Sequence, residues 1–239
     1  MGEPHFFEPI AEHLGAAYLR YSFTKGTAQE VSFLVDALDL TPGMRLLDVG
    51  CGPGRHAWAL GSLGIEVVGI DISERFVALA REGAPPGTSF VCGDAREMAW
   101  DGEFDAAISL CQGAFGLVPG EDADVLTRLV SALRPGGRAA VSAFSAYFQV
   151  RWLGDGDTFD ADAGVNHERT LVRDEEGVEA DFDLWTTVFT PRELRLLATA
   201  AGASVEHLWS VAPGEYGRNP PDIEHPEWLA ILRRGQQPS

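Results

Sequence analysis

The sequence predicts an α/β fold built on one mostly parallel sheet, and three observations predict it. Apolar runs end in acids at Asp48, Asp71 and Asp94, a regular 23-residue advance. Repeated βα units deliver side chains to one edge of a parallel sheet in this way. The first run breaks into alternating glycines at Gly50, Gly52 and Gly54 just before a helix-forming stretch, which brings backbone amides close to a ligand. The chain has 239 residues and is 45% hydrophobic, enough for one large core with no second domain.

The elements follow in order. Phe6, Phe7, Ile10, Leu14, Ala17, Tyr18 and Tyr21 recur at helical spacing, predicting an amphipathic first helix, and a second runs from about Thr27 to Leu38. Thr41-Pro42-Gly43 turns the chain into the first strand, which closes on Asp48. A helix from Arg55 to Leu63 leads to a second strand ending in Asp71, and another helix leads to a third ending in Asp94. Asp94-Ala95-Arg96-Glu97 also reads as a capping box. The fourth strand is Phe104 to Leu110, a helix runs to about Leu133, and Arg-Pro-Gly-Gly at 134 to 137 turns into a fifth strand ending near Phe144.

Between 146 and 190 the βα rhythm stops. Val165 to Arg173 and Val178 to Phe189 alternate like the strands of a hairpin joined by residues 174 to 177. That turn pairs Arg173 with Val178, putting His167 opposite Leu184, Glu168 opposite Asp183 and Asn166 opposite Trp185. In this register His167 shares the apolar face and Glu168 the polar one; a bulge in the turn would reverse the faces. Thr190-Pro191-Arg192-Glu193 opens a helix, with Thr as cap, Pro first and Glu completing the box. Strands at about 203 to 210 and 227 to 233 then form an antiparallel pair at the sheet edge.

The glycine spacing narrows the ligand. G-x-G-x-x-G requires glycine at 55, which is Arg, and a P-loop requires Gly-Lys-Ser/Thr, whereas Gly54 precedes Arg55-His56. The acidic-x-Gly-x-Gly-x-Gly pattern of Asp48 to Gly54 resembles the class I S-adenosylmethionine (SAM) methyltransferases, from Arg45 to about Phe144. The resemblance implies a Rossmann-like three-layer sandwich, a seven-stranded mostly parallel sheet in the order 3-2-1-4-5-7-6 with an antiparallel edge strand. It implies a single domain: helical cap 1–40, SAM-binding core 41–145, substrate lid 146–190, and C-terminal helix and hairpin 191–239.

The resemblance also assigns the cofactor site. Asp48 belongs to the motif, and Gly50, Gly52 and Gly54 line the methionine moiety. Asp71 takes the ribose, since one carboxylate accepts from both hydroxyls. Ile72 meets the adenine face and Asp94-Ala95 its edge. Leu110 to Gly113 sit opposite, offering a backbone carbonyl to the amino group, and Tyr18 or Tyr21 reaches the cofactor carboxylate. The product of methyl transfer is S-adenosyl-L-homocysteine.

Several acceptor classes are disfavoured. With 36 acids against 18 bases and net charge −18, the chain has no source for the counterion-release energy of nucleic-acid binding. Leu-Cys-Gln-Gly after the fourth strand lacks the Asn/Asp-Pro-Pro-aromatic signature of base and glutamine methylation, and Asn219-Pro220-Pro221 is followed by Asp222. Cys111 lacks the Pro-Cys of cytosine-C5 enzymes, and neither the fourth nor the fifth strand ends in the acids of metal-dependent catechol-type enzymes. No metal is expected, nor a disulfide framework from Cys51, Cys92 and Cys111. Without an apolar run near 18 residues or a signal segment, the expected setting is cytoplasmic with no membrane contact.

The expected reaction is methyl transfer to N or O of a small-molecule acceptor. His167 and Tyr21 are the candidate general bases, with His225 and Glu168 behind them. Aminocarboxypropyl or aminopropyl transfer and a non-catalytic SAM-binding subunit stay open, as does the oligomeric state.

Overall fold

The structure is a computed structural model that describes residues 5–111 and 113–236. The core is the predicted βα repeat. Strand β1 (Arg45–Val49) is followed by α3 (Arg55–Ser62), β2 (Glu66–Asp71), α4 (Glu74–Glu82), β3 (Thr88–Cys92), β4 (Phe104–Ser109), α5 (Asp122–Ala132) and β5 (Leu133–Ser145). Apolar side chains lie on both faces of these strands: Leu47, Val49, Ala107 and Val141 pack under α5, while Leu46, Ile108 and Ala140 pack under α3. Strands buried on both sides form the middle layer of a three-layer sandwich. Arg134 to Gly137 loops out within β5, where the pairing with β4 jumps from Phe104↔Leu133 to Ala106↔Arg138.

The chain finishes with α6 (Ala146–Arg151), β6 (Thr158–Asp160), β7 (Val165–Arg173), β8 (Glu179–Phe189), α7 (Pro191–Ala200), β9 (Ala203–Ala212), β10 (Glu215–Asn219) and β11 (Glu227–Arg234). The main sheet runs β3-β2-β1-β4-β5-β11-β9-β10. This is the expected order, with β9 and β11 as strands six and seven and β10 added at the edge. β11 is antiparallel to both β5 and β9. Thr190 caps α7 with both halves of the capping box. No helix among the described residues is long and apolar enough to cross a membrane.

Two expectations change. The first helix is shorter: α1 (Phe7–Leu14) stops at Gly15, whose φ of 47° an L side chain rarely adopts, and the chain continues as 3-10 turns at Gly15–Arg20 and Ser22–Thr24. The helix breaks because the hairpin tip docks there: Glu175 Oε1 accepts the Ala16 amide at 2.8 Å, and a Cβ on Gly15 would stand 2.3 Å from that oxygen. A second helix, α2 (Thr27–Ala37), then completes the cap.

The hairpin register is one residue out from the predicted one. Asp174 Oδ1 accepts the amides of Glu176 (3.0 Å) and Val178 (2.8 Å), and Gly177 takes φ 86°, so Val178 joins the turn. Arg173 therefore pairs with Glu179, and His167 stands opposite Trp185, Glu168 opposite Leu184 and Asn166 opposite Thr186. The side chains of β7 therefore change face relative to those of β8.

Candidate functional site

The carboxyl ends of β1, β2 and β4 form the crevice where strand order reverses, and the glycine turn is fixed there by β2. The amides of Gly50 and Cys51 donate to the Ile70 carbonyl at 2.8 and 3.0 Å. Asp71 Oδ2 accepts the Gly52 amide at 2.8 Å, and Oδ1 accepts the Ser73 amide at 2.9 Å. Burial raises the Asp71 carboxyl to about 6 against these two bonds. Asp71 is 5% exposed, yet it lines the cleft with acceptor sites remaining on both oxygens.

The backbones of Gly50 and Gly113 meet across this crevice. A Cβ on Gly50 would fall 1.9 Å from Gly113, and one on Gly113 would fall 2.3 Å from the Gly50 carbonyl oxygen. Only glycine fits on either side. One cavity beside this contact is lined by His5, Phe7, Ile72, Asp94, Ala95 and Leu117, with Gly50 and Asp71. The other, of about 330 Å³, is lined by Gly52, Tyr18, Phe23, Phe76, Cys111, Phe144, Leu184, Thr186, Pro213 and Glu227, and shares Gly50, Asp71 and Gly113. The first is a small, mostly apolar slot beside a carboxylate; the second is an apolar chamber with a few polar groups, the usual form of a ligand pocket.

The predicted cofactor residues divide accordingly. Gly50, Gly52, Asp71, Ile72, Asp94, Ala95 and Tyr18 line the cleft. Tyr18 packs edge-on against Phe23 and Phe76, and burial raises its phenol. Gly54 serves as the left-handed cap of α3. Asp94 accepts the Arg96 amide at 2.8 Å and grips its guanidinium, with Arg96 Nη2 2.6 Å from Oδ2, so the capping box becomes a tight turn onto Arg96. Asp48 lies beneath the turn, 2% exposed, with no hydrogen-bond partner for Oδ2 among the described residues. Burial raises its carboxyl to about 7, opposed by Arg55 and reinforced by Asp71. Leu110 is core, 4% exposed, and its carbonyl accepts the Gly113 amide at 3.0 Å. Cys111 and Gly113 line the cavity in its place, and position 112 lies outside the described residues.

None of the four candidate bases is among the residues lining the two cavities. The shifted register turns His167 away from the faces of Leu184 and Thr186; its Nε2 lies 2.8 Å from Asp183 Oδ1 and its ring stacks on Trp185 at 4.6 Å. Tyr21 is pinned to the hairpin tip, where its hydroxyl accepts the Arg173 amide at 3.0 Å in a separate surface cleft. His225 Nδ1 lies 2.9 Å from both oxygens of Asp222. Glu168 moves to the face of Leu184, and burial, then the nearby Asp157, raises its carboxyl.

Glu227, Thr186, Phe144, Phe23 and His5 escaped the sequence reading. His5 Nε2 lies 3.0 Å from the Leu117 carbonyl, beside the slot. Glu227 carried a signal: it is the one acid opening the apolar run Trp-Leu-Ala-Ile-Leu. In an antiparallel strand the first residue, not the last, reaches the carboxyl edge of its parallel neighbour.

The cysteines Cys51, Cys92 and Cys111 are free. Burial, then the charge of Glu227, raises the Cys111 thiol, and its sulfur accepts from Arg55 Nη2 at 2.9 Å. A raised thiol suits packing better than nucleophilic attack. No group of three metal-ligating side chains converges among the described residues.

A family profile described as a methyltransferase domain matches residues 46–137. A demethylmenaquinone methyltransferase of Beutenbergia cavernae is 36% identical over 112 residues, 46% of this chain and 45% of that one. A cypemycin N-terminal methyltransferase of a Streptomyces species is 27% identical over 211 residues, 80% of this chain and 84% of that one. The chain spans about half the length, or less, of the first curated relatives it matches. Among solved structures, the CcbJ methyltransferase of Streptomyces caelestis superposes with a TM-score of 0.76 at 20% identity, covering 97% of both chains. The profile lies on the same βα units that carry the glycine turn and the acid-ended strands, and the chain as a whole shares the fold of that solved methyltransferase.

Proposed function

We propose that this protein transfers the methyl group of SAM to N or O of a small-molecule acceptor. The observation that carries the reading is the continuity of the cleft: Gly50, Asp71 and Gly113 border both the slot holding Ile72, Asp94 and Ala95 and the 330 Å³ chamber beyond. In this reading the slot holds adenine and ribose, Asp71 accepts from the ribose hydroxyls, and Gly52 and Tyr18 hold the methionine end. SAM supplies a methyl group already made electrophilic by its sulfonium. The protein's part is to align the acceptor and exclude water. The segment 146–190 acts as the acceptor lid, since Leu184 and Thr186 of β8 wall the chamber. An acidic chain with no basic run suits a small acceptor better than a nucleic acid.

The test is twofold. Incubation with SAM and candidate acceptors yields S-adenosylhomocysteine, whereas methylthioadenosine would indicate aminopropyl-type transfer, and neither product would indicate a binding subunit. Asp71→Asn is expected to weaken SAM binding by about 1.5–3 kcal/mol, the worth of hydrogen bonds to a charged group. Unchanged affinity by calorimetry in a folded variant removes Asp71 from the site.

A further inference from the structure

We infer that Asp122 is a positioning residue: it fixes the strand that walls the acceptor chamber to the loop that borders the cofactor slot. The inference rests on the methyl-transfer reading and adds the residue that aligns its two halves.

Three observations carry it. The first is where the carboxylate sits. Asp122 opens α5 and is 5% exposed; its Oδ1 accepts the Gly116 amide at 2.7 Å and its Oδ2 accepts the Thr187 hydroxyl at 2.7 Å. The Thr187 amide in turn donates to the Gly116 carbonyl at 2.8 Å. Three hydrogen bonds thus meet at one buried point between two segments far apart in the chain. The second is what the joined segments do elsewhere. Residues 113–118 supply Gly113, Ala114, Leu117 and Val118 to the slot, and β8 supplies Leu184 and Thr186 to the chamber. Successive side chains of a strand point to opposite faces, so Thr186 faces the acceptor's space while its neighbour Thr187 faces Asp122.

The third is the cost of an acid in this place. The helix dipole favours an acid in the first turn whether or not it is buried, and Asp124 in the same turn is exposed. Asp122 is desolvated instead, which raises its carboxyl; the Thr187 hydroxyl and then the Gly116 amide work against that. Apolar packing already holds the two segments together, with Phe115 stacked on Phe189 at 4.7 Å. What the carboxylate adds is direction, because its two acceptor oxygens lie in one rigid plane and each serves one segment. Methyl transfer needs the reacting atoms about 3–3.5 Å apart and aligned. The wall beside the acceptor must therefore stay in register with the loop beside the cofactor. Asp122 touches neither ligand and acts through Gly116 and Thr187.

The experiment measures amide hydrogen exchange on the full chain, with adenosine as probe. Adenosine fills the slot in this reading and lacks the methionine end that reaches the chamber, so any protection of β8 has to cross the junction. Calorimetric titration with S-adenosylhomocysteine comes first and reads the cofactor site itself. In the wild type, saturating adenosine should slow exchange at residues 113–118 and at residues 184–189, each by about fivefold or more. Thr187→Val keeps the shape and removes the hydroxyl. In that variant residues 113–118 should slow as before and S-adenosylhomocysteine affinity should stay within about threefold, while the change at 184–189 falls below about twofold. Thr187→Ser, which keeps the hydroxyl, should retain the full effect. Thr187→Ala removes the hydroxyl without setting a methyl group against the carboxylate, and replaces the Val variant if that one does not fold. Protection confined to 113–118 in the wild type, or protection of 184–189 that survives loss of the hydroxyl, overturns the inference and leaves Asp122 as a structural tie. No protection of either segment in a chain that binds S-adenosylhomocysteine also overturns it, because the loop would then not report on the slot. Failure of the wild type to bind S-adenosylhomocysteine at all would sink the underlying cofactor reading instead, and is read in the first titration.

Discussion

At the residue scale, the acids under the glycine turn are held against their preference. Burial raises the carboxyls of Asp48 to about 7 and of Asp71 to about 6. A carboxyl with a folded pKa above its unfolded one binds its proton more tightly in the native state. The fold therefore loses stability as pH rises from about 4 through about 7, and the loss is complete above that. Asp48→Asn keeps the shape and removes one titration. Its melting temperature should match the wild type's near pH 4 and exceed it near pH 8, at roughly 2–4 °C per kcal/mol for a chain of this size. Differential scanning calorimetry at the two pH values checks this; a variant less stable than wild type at pH 8 would mean that ionised Asp48 is well compensated. Asp48, Asp71 and Asp94 were legible because each ends an apolar run in the sequence. That Asp71 clamps the Gly52 and Ser73 amides was not, because the bonds depend on how the turn folds back over β2.

At the scale of elements, local chemistry predicted what local chemistry decides. The capping box at Thr190 appears as read, and the βα units of the core fall within a few residues of their expected bounds. The errors lie where a distant contact overrides local pattern. Gly15 ends α1 because the hairpin tip packs on it, and Val178 leaves its strand because the Asp174 carboxylate gathers its amide. One residue of turn moved the side chains of β7 to the other face relative to β8, and His167 with them. His167→Gln should accordingly leave the shape of the pH–rate profile unchanged and cost about 1 kcal/mol of stability or less, the worth of an exposed ion pair with Asp183. A drop of about 10²-fold with loss of a limb near neutral pH would instead support the general-base role. Glu227 was missed for the same reason as the register: its neighbours Phe144 and Thr186 are joined to it by the fold, not by the sequence.

At the scale of the whole molecule, the cleft is closed by pieces that are far apart in the chain, and one buried carboxylate joins three of them. Glu30 of α2 is fully buried; its Oε2 accepts from Arg55 at 2.6 Å and lies 2.8 Å from His56 Nε2, both on α3, and its Oε1 accepts the Gly214 amide between β9 and β10 at 2.8 Å. Beside it, Gln29 exchanges two hydrogen bonds with the Tyr216 backbone, docking the cap onto the sheet edge. Burial works to raise the Glu30 carboxyl, but the hydrogen bond from His56 and the charge of Arg55 outweigh it and hold the group at about 2. Its contribution is thus present above the usual carboxylate range and is lost only as pH falls toward 2. Glu30→Ala leaves the Arg55 guanidinium, with 7% side-chain exposure, facing a void without its counter-ion. Breaking a buried pair from one side costs about 3–5 kcal/mol. Urea unfolding at pH 7 should show a loss of that size, and SAM affinity should fall with it, because Arg55 opens the helix that follows the glycine turn and donates to Cys111 on the chamber wall. A loss below about 1 kcal/mol would place the junction among surface ion pairs and leave the cap held by its apolar contacts.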